Sequence, residues 1–180
     1  QTAQINQNLT CIDGDFECLP QENIFFDGCK VNLDTKIQIT ESSSLAFWDV
    51  NCFGRLAGAQ PFESGSVATQ LSLYRDKQFL LHDRFVINGG ESLQRVTGLR
   101  GHTVSALLLL GPVAEESVAV SHDILAGDSG FCITVIDKIM LVRYIGDSAE
   151  QAKQGFTKLW SHHRMSLSQR TPCVPRIWAT

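Results

Sequence analysis

Ser129 is the side chain with the most obvious capacity for bond chemistry. It sits in Gly127-Asp128-Ser129-Gly130, with His82, Asp83 and His102 upstream of it. A serine hydroxyl becomes a nucleophile when an imidazole takes its proton and an acid orients that imidazole. The same four residue types are also what a tight turn selects. The chain is short for a two-barrel protease and lacks its usual histidine motif, so a turn is expected here. A serine hydrolase using Ser129 with a histidine is the alternative.

Metal chemistry is the second option. Histidines at 82, 102, 122, 162 and 163 and cysteines at 11, 18, 29, 52, 132 and 173 provide nitrogen and sulfur ligands suited to nickel, zinc or copper. No C-x-x-C pair occurs, and adjacent His162 and His163 cannot share one helix face. No firm metal site is read, and a stand-alone metal carrier is a further alternative. Neither a G-x-G-x-x-G nor a phosphate-binding loop is present, which disfavours kinases and dehydrogenases. No tightly bound cofactor is expected.

The elements that must position such groups centre on residues 46–65. An apolar run, Ala46 to Phe53, contains Asp49 and then breaks at Gly54, Gly58, Pro61 and Gly65. A strand feeding a shaped loop follows. Arg55, directly after the first glycine, is placed to fork onto a carboxylate or backbone carbonyls. Asp49 faces either solvent or a functional interior.

The remaining chain reads as strands until near its end. Residues 22–26 form a short strand closed by Asp27-Gly28. Val31, Leu33, Ile37 and Ile39 alternate with polar residues, predicting a half-buried antiparallel strand. Hairpins are expected at 67–87, closed by Asn88-Gly89-Gly90, and at 131–145 around Asp137-Lys138. The segment 102–110 is apolar enough for strand or helix. A helix over about 147–164 is announced by Ala149, Ala152, Phe156, Leu159, Trp160 and His163, with Asp147, Ser148 and Gln151 at its start. Residues 172–180 read as an extended tail. The expected architecture is mainly β, with antiparallel strands and hairpins in layered sheets and one C-terminal helix.

Composition sets the outer bounds. The 180 residues, 43% hydrophobic and 19% charged, suit a single domain over 1–180. A net charge of -4 gives no bulk attraction to nucleic acid or an anionic membrane. The longest apolar run, 106–110, is far short of the ~20 residues that span a bilayer. The polar start lacks the features of a secretion leader, so a cytoplasmic protein with reduced thiols is expected.

Four segments in order carry a family resemblance: Leu19 to Phe26, Trp48 to Phe62 with its Gly54-Arg55 turn, Val142 to Glu150, and Pro175-Arg176-Ile177-Trp178-Ala179-Thr180. Together they resemble the urease accessory protein UreD, also called UreH. The resemblance implies a mainly β, non-enzymatic scaffold or chaperone in urease maturation. It also implies binding to UreF, through it to UreG, and to apo-urease, with homodimerisation within the accessory complex as a further option. Transient Ni²⁺ passage is implied too, with Asp49, Gln60 and Glu63 as candidate lining by position. Trp48, Gly54, Arg55, Phe62, Arg143, Asp147, Arg176 and Trp178 are the interface or structural motif candidates. Two departures stand out. The family's upstream Pro-Gly-Gly region has no match, so the chain is expected to be the C-terminal part of a longer one. Ala59-Gln60 stands where the family has Gly-Glu, which removes a carboxylate.

Overall fold

The protein is described by a computed structural model that covers residues 1–55 and 60–179. Its strands form two facing sheets. The first has the order β1 (Ala3–Cys11), β4 (Lys30–Ile39), β6 (Ser66–Arg75), β7 (Gln78–Asn88). In the second, β2 (Asp15–Cys18) and β3 (Asn23–Phe25) follow one another along the same edge of β5 (Ser44–Phe53). Next to β5 come β8 (Val104–Gly111), β10 (Ile139–Gly146) and β9 (Phe131–Ile136).

As far as β6 the chain winds back and forth between the sheets. β1 pairs with β4, β4 with β6, and β2 and β3 with β5, all in parallel. Each crossover between parallel strands therefore runs through the opposite sheet, and the coil buries its own inner face. Beyond β6 the pairings become antiparallel: β6 with β7, β5 with β8, β8 with β10, and β10 with β9. The layered, mainly β architecture is as the sequence predicts. The antiparallel pairing expected for 30–39 is corrected, because alternation reports one buried face and is silent on a neighbour's direction.

Other differences have local causes. The polar lead-in forms β1, an exposed edge strand whose Gln, Asn and Thr residues mask its extended character. Asn88-Gly89-Gly90 opens a short helix, α1 (Gly89–Gln94), instead of closing the hairpin. A further helix, α2 (Glu116–Ile124), buries only Ser121 and carries no apolar stripe. The segment 102–110 resolves as strand β8, hydrogen-bonded on both edges. The tail turns at its end into a 3-10 helix, Arg176–Ala179.

The predicted C-terminal helix is α3 (Ala149–Ser168). Ser148 caps it by accepting the Gln151 backbone N–H at 3.0 Å. The Gln151 side chain turns instead to the Tyr144 hydroxyl, 3.0 Å away. Ala152, Phe156, Leu159 and Trp160 cover the outer face of the second sheet, against Trp48, Val50, Leu108 and Val142. A Cβ on Gly155 would run into the Phe131 ring, which is why glycine serves there despite its helix penalty. No helix among the described residues is long and apolar enough to cross a membrane.

Candidate functional site

β5 is buried on both faces, and its period of two sorts its residues. Ala46, Trp48, Val50 and Cys52 face α3, while Leu45, Phe47 and Phe53 face the first sheet. Asp49 and Asn51 fall in that second row, between two apolar clusters. One cluster joins Leu45 and Phe47 to Ile37, Leu73 and Leu109. The other joins Phe53 to Phe25, Phe62 and Ile87.

The gap between the clusters is a cavity of about 260 Å³. Thr35, Asp49, Asn51, Asp83, Ser105 and Arg143 are among its lining residues. Strand register shows that these groups form a belt across the sandwich. In the first sheet Gln7 pairs with Thr35, Thr35 with Leu71, and Leu71 with Asp83. In the second, Asp49 pairs with Leu107 and Leu107 with Arg143, while Asn51 lies between Asn23 and Ser105. The belt thus runs from Gln7 and Asn23 on one side to Asp83 and Arg143 on the other.

Hydrogen bonds hold the polar groups in place. Asn23 donates its amide to Asp49 Oδ1 at 2.8 Å and to Asn51 Oδ1 at 3.0 Å. Asn51 donates to Asp49 Oδ2 at 2.7 Å. Thr35 donates to Gln7 at 3.1 Å. At the far end Arg143 Nη2 meets Asp83 Oδ1 at 2.7 Å. Burial pushes the Asp49 carboxyl above its ordinary value; the amides of Asn51 and Asn23 oppose the shift, and the Asp83 charge adds to it. A carboxylate so placed gains from a cation nearby.

Of the nickel-path candidates, Asp49 lines the cavity. Gln60 and Glu63 lie outside its lining, at exposed positions around the turn. The solvent-facing alternative for Asp49 is corrected: the residue lines the cavity between the sheets, on a strand with neighbours on both edges. Arg55 forms a backbone bridge with Gln60, its N–H 2.9 Å from the Gln60 oxygen. Gly54 has φ +91, and a Cβ there would sit 2.5 Å from the same oxygen. Ala59 lies outside the described residues.

The other motif candidates are placed as follows. Phe62 is buried edge-on to Phe53, ring centroids 5.8 Å apart. Trp48 donates its indole N–H to the Pro20 carbonyl at 2.7 Å and packs on Trp178. Arg176 is exposed at the start of the 3-10 helix. Asp147 accepts from His102 at 2.8 Å and from the Thr103 N–H at 3.1 Å. Burial raises its pKa, but these bonds outweigh burial and hold it below the usual carboxylate range.

Ser129 lies in a turn before β9, and among the described residues no histidine hydrogen-bonds to its hydroxyl. His82 meets Ser72, His102 meets Asp147 and His163 meets Ser121. No group of three or more His, Cys, Asp or Glu converges as a metal cage among the described residues. Asn23, Asn51, Thr35 and Ser105 escape sequence reasoning. Counting residues 45–53 by twos would have found Asn51, which shares a face with Asp49.

Fold and site together define a two-sheet β protein with a partly charged polar cavity between its sheets. The chain belongs to the UreD urease accessory protein family, whose model matches residues 1–179. It is 32% identical to the urease accessory protein UreD of Aliivibrio fischeri over 192 residues, covering 99% of this chain and 67% of the relative. The UreD proteins of Alcanivorax borkumensis and Escherichia coli are 29% and 31% identical, covering 100% and 97% of this chain and 63% and 65% of those relatives. The chain thus spans about two thirds of the length of these relatives.

Proposed function

We propose that this chain serves urease maturation as a non-catalytic cytoplasmic scaffold. In this reading it binds UreF, through it UreG, and apo-urease, and its polar belt is a route for Ni²⁺ on the way to the urease active site. The belt is the observation that carries the reading. Buried polar and charged groups cost free energy, and a β sandwich gains stability from apolar residues in their place. A row of them beside a cavity, interrupted by Leu71 and Leu107, suits a hydrated, positively charged solute. Oxygen groups from Asp49, Asn51, Thr35 and Ser105 can replace waters of hydration one at a time without trapping the ion.

Coexpression with UreF, UreG and urease tests the scaffold role. The complete protein should copurify with UreF and be required for nickel-loaded, active urease. A complete protein that stays apart from UreF, or whose deletion leaves urease fully loaded, overturns it.

A further inference from the structure

The belt ends at an ion pair that does not look like a structural staple. Arg143 on β10 reaches Asp83 on β7, so the pair ties one sheet to the other across the cavity, which both residues line. The contact is single: one guanidinium nitrogen 2.7 Å from one carboxylate oxygen. Two-pronged pairing, the strong form of this interaction, is not used. The side chains are 44% and 31% exposed, so water screens the attraction.

Arg75 shows what a staple looks like in this fold. It places one nitrogen on Asp137 Oδ2 at 2.9 Å and another on the Asp137 carbonyl at 2.8 Å. It also reaches Glu41 at 3.3 Å, and its side chain is only 10% exposed.

We propose that Arg143 and Asp83 form a cation-displaced latch on the polar belt. The inference rests on the reading of the belt as a cation route. With the cavity free of metal, the guanidinium neutralises Asp83 at this end. An arriving divalent cation, doubly charged and compact, competes for the Asp83 carboxylate. The guanidinium then swings outward, where its exposure already gives it room. Asp83 becomes the first carboxylate the ion meets from this side and Asp49 the next along the belt. A competing cation opens the latch. Each ion that passes leaves Asp83 to be reclaimed by Arg143, which opposes accumulation of metal in the cavity.

The test is equilibrium binding of Ni²⁺ to the purified protein at fixed ionic strength. Arg143→Gln frees Asp83 and should tighten Ni²⁺ binding by about tenfold, the size of one removed competing charge. Adding Asp83→Asn to that variant should abolish the gain. Affinity within twofold of wild type in Arg143→Gln overturns the latch. A second measurement on the unaltered protein covers failure of that variant to fold. The arginine side-chain NMR signal of Arg143, assigned through Arg143→Lys, should move on saturation with Zn²⁺, and a signal that stays put also overturns the proposal. Failure of the route itself reads differently: filling the belt with Ser105→Leu would then leave urease nickel content unchanged, whatever Arg143 does.

Discussion

Asn23 and Asp49, 26 residues apart in sequence, are joined by a 2.8 Å hydrogen bond across the β3/β5 edge of the second sheet. Asn51 supplies the other amide donor, to the opposite carboxylate oxygen. Asn23→Leu would leave one side of a buried acceptor unpaired while the strand register stays intact. The expected cost is about 1–3 kcal/mol, the penalty of an unmatched buried polar group. Urea denaturation of variant and parent measures it, and a change in the midpoint without a change in slope is predicted.

Trp178 packs on Trp48 with ring centroids 4.6 Å apart and on Trp160 at 5.4 Å. Gln21 adds a bond to the Ile177 carbonyl at 2.7 Å, so the tail is fastened to the second sheet and α3 together. Trp178→Ala should cost about 2–4 kcal/mol, less than a fully buried tryptophan because the ring is half-buried. Faster tryptic cleavage after Arg176 is the measurement, with no change expected at Arg75, which two-pronged bonding holds.

Ser121 donates to the Ser117 carbonyl at 2.7 Å and so accepts the Nε2–H of His163 at 2.8 Å. Burial, helped by the neighbouring His162 charge, lowers the His163 pKa from 6.5 to about 4. Between those values the unfolded chain binds a proton that the folded chain refuses, so stability rises with pH there. The contribution is complete above pH 6.5 and is lost as pH falls towards 4, by up to about 3 kcal/mol. Denaturation midpoints at pH 7 and pH 5 should separate less in His163→Gln than in the parent.

Gly54 at φ +91 lets the chain turn against the Gln60 carbonyl. Gly54→Ala forces both a left-handed alanine and a close contact, costing roughly 1–3 kcal/mol or a rearranged turn. Thermal unfolding checks this, with Gly127→Ala as comparator: it also has positive φ, but no atom lies near its Cβ position.

Much of the fold is legible because its signals are local. β4 shows one buried face in its alternation, Asp137-Lys138 marks the β9/β10 turn with both residues at positive φ, and Ser148 announces α3. Parallel pairing is invisible, because β1 and β4 lie far apart in sequence and no turn joins them. The site is half legible for the same reason. Asp49 stands out as a charge in an apolar run. Asp83, read as the acid of a hydrolase, belongs with Arg143 through the facing of the two sheets, which brings together positions 60 residues apart. Nothing short-range in the sequence carries that pairing.

The most direct test of the account is the nickel content of urease matured with belt variants of the complete protein. Asp49→Asn removes the buried charge at nearly constant volume, and Ser105→Leu fills the cavity from a position whose side chain makes no hydrogen bond among the described residues. Metal analysis of purified urease should show a deficit of several-fold in both, with copurification of UreF unchanged. Fully loaded urease from both variants, at normal protein levels, would contradict the claim that the belt carries the ion.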